Sequence, residues 1–183
     1  MSIVKFISTE YLKQNTALQE NVDDTLVTPY IIKAQDTHIQ SILGTNYYNH
    51  LKDAVKTNTL TTRETTLLRE FIQPAVSEWT FYEVIPHLNY KATNKAVSTQ
   101  NSEYSNPSSL DEIKYLRNSV RDMAEFYTKR LERELSLNQQ YYPLWANQNL
   151  NNLPINRKTY FSGVYLKGRG SNNYFLDKDD ECC

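Results

Sequence analysis

Apolar residues recur every three or four positions along three stretches of the chain, and this spacing predicts the long helices of a small bundle. The first stripe consists of Leu26, Tyr30, Ala34, Ile39 and Ile42. The second consists of Leu67, Leu68, Phe71, Ile72, Ala75, Val76, Trp79, Tyr82 and Ile85. The third consists of Ile113, Leu116, Val120, Met123, Tyr127, Leu131 and Leu135. Helices with single apolar faces are expected to pack on one another.

Capping residues place the starts of the first helices. Ser8 suits the N-cap of a short helix through Leu12, and Asp23 or Asp24 that of the first long helix. Gly44 is predicted to end that helix. Thr45 is then predicted to cap a helix that carries Tyr47, Tyr48, Leu51 and Val55.

Two capping boxes place the remaining starts. Thr61 with Glu64 opens the helix of the second stripe, and Ser109 with Glu112 opens the longest helix, which runs to about Leu137. Proline interrupts the second stripe twice. Pro74 is predicted to kink this helix, and Pro86 to stop it.

The helical period fails between residues 87 and 108, which predicts a long irregular loop. Within it, residues 90–97 alternate weakly and predict a strand that pairs with another subunit. The candidate inter-subunit residues are Tyr90, Lys91, Asn94 and Lys95.

The C-terminal part divides into a linker rich in Asn and Gln (138–156) and an extended arm (157–183). Residues 159–166 and 172–176 predict two short strands of the arm. Too few apolar side chains are present to offset the cost of ordering the arm's backbone, so it is expected to need a partner. An alternative for the linker is that Tyr141, Tyr142 and Trp145 pack back on the domain. The predicted fold is therefore mainly α, a small helical bundle (1–137) with a long irregular loop and an extended arm with short β-strands.

The charge and composition of the chain argue against several classes of protein. Lys and Arg number 20 against 21 Asp and Glu, a net charge of −1 that argues against a general nucleic-acid binder. No apolar run is long enough for a membrane span, and the apolar stretch at the start is too short for a signal peptide, which predicts a cytosolic product.

Chemistry-bearing motifs are not found in the sequence. The three histidines (His38, His50 and His87) lack the spacing of a helical metal pair, and Cys182 and Cys183 are the last two residues. Neither a P-loop nor a nucleophile elbow is present. The sequence predicts no catalytic residue, no cofactor and no metal. Its recognition surface is predicted in the arm, with Tyr160, Phe161, Val164, Tyr165, Leu166, Tyr174 and Phe175 as partner-binding residues.

Five short motifs, taken in order, carry a resemblance to a known class of protein. They are residues 6–8 (Phe-Ile-Ser), 43–48 (Leu-Gly-Thr-Asn-Tyr-Tyr), 93–97 (Thr-Asn-Lys-Ala-Val), 124–131 (with Ala-Glu-Phe-Tyr and Arg-Leu) and 161–163 (Phe-Ser-Gly). Their succession resembles that of the head-tail connector (adaptor, or head-completion) proteins of tailed bacteriophages, particularly those of crAss-like phages. Ala96 stands where such proteins are expected to carry glycine.

The resemblance implies a structural virion protein without enzymatic activity. Such proteins form a ring, usually of twelve copies, below the portal protein; they join head to tail and let double-stranded DNA pass without sequence specificity. The implied partners are the portal, other head-tail ring or tail proteins, and further copies of this chain. The implied location is the virion, and the host cytoplasm before assembly. The alternative is a monomeric adaptor module that binds a partner through its C-terminal arm.

Overall fold

In the computed structural model, which describes residues 4–92, 97–99 and 109–147, the chain is mainly helical. The helices are α1 (Thr9–Asn15), α2 (Asp24–Ala34), α3 (Gln40–Leu43), α4 (Thr45–Thr57), α5 (Thr62–Leu67), α6 (Gln73–Asn89), α7 (Leu110–Leu137) and α8 (Pro143–Ala146). π-Helical segments join α2 to α3 (Gln35–Ile39) and α5 to α6 (Leu68–Ile72), and a 3₁₀ turn (Gln139–Tyr141) follows α7. The mainly α class is confirmed. The predicted arm and its strands lie outside the described residues.

Four of the predicted helix starts are confirmed by their hydrogen bonds. Ser8 accepts from the amide of Tyr11 at 3.0 Å, and Asp23 accepts from that of Thr25 at 2.8 Å. Thr61 and Ser109 each close a complete capping box with the glutamate three residues later. These bonds satisfy amide groups that the first turn of a helix leaves without partners.

The junction between α3 and α4 is tighter than predicted. Gly44 ends α3 as predicted, but it also precedes α4 directly, so Thr45 is the first helical residue and the prediction of Thr45 as N-cap is wrong. Gly44 has φ 72° and ψ 157°, a region that only glycine enters without strain. One residue therefore serves both helices.

The stripe predicted for the first long helix is displaced by one position in its first half, whereas Ala34, Ile39 and Ile42 are buried as predicted. Val27, Ile31 and Ala34 are buried in α2, whereas Leu26 is 38% exposed, so the prediction of Leu26 as a core residue is wrong. The π-helical segment explains the five-residue step from Ala34 to Ile39, because the amide of Gln40 donates to the carbonyl of Gln35. The wide turn keeps the later apolar residues facing the core.

The two prolines of the second stripe are accommodated inside one helical run. The distortion predicted at Pro74 takes the form of the π-helical segment just before it, where the amide of Gln73 donates to the carbonyl of Leu68. Pro86 lies within α6, which continues to Asn89, so the predicted stop is wrong by three residues. Pro86 removes only the bond that its own amide would donate to the carbonyl of Tyr82, and the last residues of α6 remain helical.

Helices α6 and α7 run antiparallel and form the centre of the bundle. Trp79 Nε1 donates to Thr128 Oγ1 at 2.9 Å. The guanidinium of Arg117 lies 4.1 Å from the ring centre of Tyr82. From α7, the buried residues are Val120, Ala124, Leu131 and Leu135. The predicted packing of the two long helices is thus confirmed.

A two-stranded antiparallel hairpin follows α6, and it involves part of the predicted loop. β1 (Tyr90–Ala92) pairs with β2 (Val97–Thr99), with Tyr90 opposite Thr99 and Ala92 opposite Val97. The strand predicted from Tyr90 therefore exists in its first three residues. Its partner in the structure is the same chain, and the proposed pairing with another subunit has no counterpart in this hairpin.

The chain packs back on the domain after α7, which is the alternative that the sequence left open for Tyr142 and Trp145. Trp145 is 4% exposed, and its Nε1 donates to the carbonyl of Ile42 at 2.9 Å. Tyr142 is equally well buried and donates from its Oη to Glu134 at 3.3 Å. Tyr141 remains exposed. None of the helices in the described ranges is both long and apolar enough to cross a membrane.

Candidate protein interface

Helix α7 carries large apolar side chains that are exposed, beside the buried face that packs on α6. Leu116 is 46% exposed, Met123 47% and Phe126 57%. Leu116 and Met123 were predicted as core residues, and that prediction is wrong. Spacings of seven and three residues place the three side chains on one face of the helix, so we call them the outer α7 stripe.

The end of the bundle at which α6 ends and α7 begins is called the open end here. It has an apolar groove of about 450 Å³, which we call the terminal groove. It lies between the α1–α2 connection, the end of α6 and the start of α7. Its lining residues are Ala17, Leu18, Gln19, Val22, Phe81, Ile85, Leu88, Ile113 and Leu116. Leu116 also belongs to the outer α7 stripe, so the groove and the stripe form one continuous apolar surface. Leu110 and Tyr115, 60% and 80% exposed, lie beside it on α7.

Charged side chains on α7 form ion pairs along the helix surface. Glu125 lies 4.0 Å from Arg121 and 3.9 Å from Lys129, and Asp111 lies 3.2 Å from Lys114. Such exposed pairs contribute little to stability, and they are typical of a solvated face. Arg117 and Arg130 depart from this pattern. Their guanidinium groups lie over the rings of Tyr82 and Phe71 and cover part of the core.

The opposite end of the bundle, at which α7 ends and α5 begins, is called the closed end. There, the buried carboxylate of Glu64 binds several polar groups. Glu64 Oε2 accepts from the amide of Thr61 at 2.9 Å and from its hydroxyl at 2.8 Å, and Oε1 lies 2.7 Å from His50 Nε2. Burial by itself raises the pKa of a carboxyl group. Here the bonds from Thr61 and His50 more than offset that effect, so the pKa of Glu64 lies below its usual value.

Two tyrosines close this end. The rings of Tyr47 and Tyr142 lie 6.0 Å apart, centre to centre. Burial, together with the nearby Glu134, raises the pKa of Tyr142 to about 12. Both phenols therefore stay neutral at physiological pH. The cluster closes this end of the bundle, and the hydroxyl of Tyr47 is buried in it without a hydrogen-bond partner among the described residues.

The other histidines also have packing partners. The ring of His38 stacks on Trp79 at 3.7 Å between centres, and its Nε2 lies 3.4 Å from Glu83 Oε1. Burial lowers the pKa of His38 despite the neighbouring Glu83. His87 stacks on Tyr30. Within the described ranges, no group of three or more His, Cys, Asp or Glu side chains is arranged to hold a metal ion.

The predicted site residues are only partly within the described chain. Tyr90 and Lys91 belong to β1. Asn94 and Lys95 lie outside the described residues. The partner-binding residues of the arm also lie outside them; these are Tyr160, Phe161, Val164, Tyr165, Leu166, Tyr174 and Phe175.

The outer α7 stripe is the surface that reasoning from the sequence missed. A single helical stripe was expected, and Leu116 and Met123 fitted it at spacings of three and four. The overlooked pattern was an excess of apolar residues. Phe126 and Tyr115 belong to no core stripe, and together with Leu116 and Met123 they are too many for one buried face of a helix.

Comparison with known proteins places the chain in a family. Residues 39–155 match the model of a family of unknown function, DUF6712. The matched region runs from the π-helical segment after α2 to beyond α8, and it includes the outer α7 stripe and the closed end. No curated protein and no solved structure gives a match. Because the family model covers more than half of its length, the chain belongs to the DUF6712 family.

Proposed function

We propose that this protein is a structural head-tail connector of a tailed bacteriophage, which forms a ring below the portal and joins the head to the tail. The observation that carries the proposal is the outer α7 stripe. A helix that is already packed on α6 has three further large apolar side chains that remain exposed. Such side chains at helical spacing are typical of a surface that another protein covers.

A second copy of the chain is the occupant that the connector role implies. In a ring, each subunit presents one surface to the neighbour on its left and a different one to the neighbour on its right, so that the contact repeats around the axis and closes. A modest contact then suffices, because every subunit is held on two sides. The resemblance to phage connectors supplies the usual number of twelve copies and the location in the virion.

The charge of the chain suits a channel through which DNA passes without being held. Tight binding of the phosphate backbone requires many Lys and Arg contacts, which would slow the passage of DNA. The chain has a net charge of −1, which fits weak contact with double-stranded DNA and no sequence specificity. In this proposal the arm attaches the ring to the portal or to an adjoining tail protein, and the protein has no enzymatic activity.

The direct test is the mass of the purified protein with and without the portal protein, measured by mass photometry and followed by negative-stain images. Wild type is expected to form rings, alone or on the portal. Phe126→Gln is expected to lose ring formation while remaining folded, because the substituted side chain is already exposed. Leu26→Gln, an exposed leucine on α2, is the matched control and is expected to assemble normally.

Deletion of residues 157–183 tests the arm separately. The shortened chain is expected to keep the helical circular-dichroism spectrum of the domain and to lose attachment to the portal. Rings that bind the portal equally well without the arm would exclude the arm from this role. A protein that stays monomeric in every condition would contradict the connector and favour the monomeric adaptor.

A further inference from the structure

The terminal groove is an apolar site of a size that accepts a short peptide segment. Its volume of about 450 Å³ lies in the range of about 300–1,000 Å³ that is usual for ligand pockets. Phe81, Ile85 and Leu88 line it from one helix, at the spacing that puts one side chain on each successive turn. The groove therefore fits an extended segment with a few consecutive apolar side chains better than it fits the side of another helix.

The length of the chain beyond the described domain limits which segment can reach the groove. The described chain ends at Asn147, near the end of α7, because Tyr142 contacts Glu134 there. The groove lies at the start of α7, and from Leu116 to Glu134 the helix rises about 27 Å. Twelve residues, 148–159, separate Asn147 from Tyr160, the first aromatic residue of the arm. A polar chain of this length has an r.m.s. span of about 20 Å.

This geometry favours the groove of a neighbouring copy over that of the same chain. To reach its own groove, the arm would have to be stretched beyond its r.m.s. span along the whole bundle. A neighbour's groove needs only to lie within about 20 Å of Asn147. The donating end and the accepting end are at opposite ends of the molecule, which is the arrangement that repeats from head to tail around a ring.

Charges on the two sides are complementary. The segment 157–169 contains Arg157, Lys158, Lys167 and Arg169 and no acidic residue. Around the groove, the carboxylates are Glu20 beside Gln19, Asp111 and Glu112 in the first turn of α7, and Glu78 one turn before Phe81 on the same face of α6. The nearby bases are Lys13, which donates to the carbonyl of Glu20, Lys114 and Arg117, so the four carboxylates outnumber the three bases.

Glu78 adds a specific point of attraction. Its side chain is half-buried, and it has neither a hydrogen bond nor an ion pair within the part of the chain that the structure describes. Burial raises its pKa accordingly. A cation brought beside this carboxylate would replace part of the water that it has lost.

We propose that the terminal groove of each subunit binds residues 159–166 of the adjacent copy, with the apolar side chains of that segment in the groove and its basic flanks against the surrounding carboxylates. This inference rests on the proposed ring and adds a second contact between its subunits, next to the one proposed for the outer α7 stripe. Tyr174 and Phe175, which follow in the same arm, then remain for the portal. Deletion of residues 157–183 therefore removes both contacts, whereas deletion of residues 170–183 removes the portal contact alone.

The test uses the full chain with its own arm disabled by Phe161→Gln and Leu166→Gln, so that the groove is free. A fluorescein-labelled peptide of residues 157–169 is titrated with this protein, and its anisotropy is measured. Saturable binding is expected, weakened at least tenfold by adding Leu88→Gln in the groove. Leu60→Gln, a partly buried leucine outside the groove, is the matched control and leaves binding unchanged. A peptide that does not bind, or that binds equally to the Leu88→Gln protein, overturns the proposal.

A mixing experiment distinguishes the neighbour's groove from the chain's own. Leu88→Gln and the arm-disabled protein are each expected to lose self-association, and their equimolar mixture is expected to form a one-to-one dimer by mass photometry. If wild type stays monomeric while the mixture dimerises, each arm occupies its own groove, and the proposed occupant is wrong. If the Leu88→Gln protein still forms rings that bind the portal, the groove contact is wrong and the connector proposal stands. If the protein assembles through the groove but never binds the portal, the groove contact is supported and the connector proposal is contradicted.

Discussion

The two ends of the bundle treat their apolar side chains in opposite ways. At the closed end, Trp145 and Tyr142 come from beyond α7 and are 4% and 2% exposed. At the open end, no described residue covers the terminal groove in this way, and Leu116 and Tyr115 are 46% and 80% exposed. The described chain completes one end by itself. The other end has the composition of a surface for a partner, since burial there would still gain free energy.

The largest expected effect comes from removing the cover of the closed end. Trp145→Ala should lower the free energy of unfolding by about 3–5 kcal/mol, because it empties a buried site and leaves the carbonyl of Ile42 without its donor. Leu116→Ala at the open end should change it by less than about 0.5 kcal/mol, because the side chain is already half in water. Urea unfolding of both variants, followed by circular dichroism, gives the two values. Equal losses would remove the distinction between the ends.

Much of this architecture is predictable from local rules. Capping residues such as Ser109 act through bonds to the next few amides, so the sequence around them suffices. The stripe of α7 was predicted less well, because a period of three to four residues identifies an apolar face without saying what covers it. Leu116 satisfies the spacing as well as Val120 does. Only the positions of α6 and the α1–α2 connection decide which of the two is buried.

The packing of the closed end could not be predicted from local patterns either. Tyr142 and Trp145 follow an amide-rich segment with no period, and their burial depends on contacts with residues about a hundred positions earlier, such as Ile42. The π-helical segment between α2 and α3 is likewise not readable from local sequence rules. Such features depend on tertiary contacts, and local sequence patterns carry little information about them.

The next largest effect is expected at Glu64, the buried carboxylate of the closed end, and it depends on pH. Glu64→Gln should cost about 1–2 kcal/mol at neutral pH, because bonds to a charged acceptor become bonds to a neutral one. The pKa of Glu64 is lower in the folded than in the unfolded chain. Its contribution is therefore complete above the unfolded value of about 4.5 and is lost as the pH falls through the folded pKa. Urea unfolding from pH 7 to pH 3 should show wild type approaching the variant.

The matched control for this experiment is Glu112→Gln at the open end. Glu112 occupies the same place in a capping box, but it is exposed. Solvent screens its interactions, so its substitution should cost only a few tenths of a kcal/mol and alter the pH profile little. A Glu112→Gln protein with the larger loss would mean that burial is not the source of the difference.

The smallest expected effect compares the two N-cap side chains themselves. Thr61→Ala and Ser109→Ala both remove an oxygen that accepts from the third amide of the helix, at 3.2 Å and 3.3 Å. Substitutions of this kind cost about 1 kcal/mol on average. Thr61 also donates to the buried Glu64, so its loss leaves a carboxylate without one of its donors, whereas water can replace the hydroxyl of Ser109. Thr61→Ala should therefore be the more destabilising by about 0.5–1 kcal/mol, measured as the difference between urea midpoints at equal slope. The reverse order would imply that residues beyond the described ones cover the start of α7. The open end would then be buried in a similar way to the closed end.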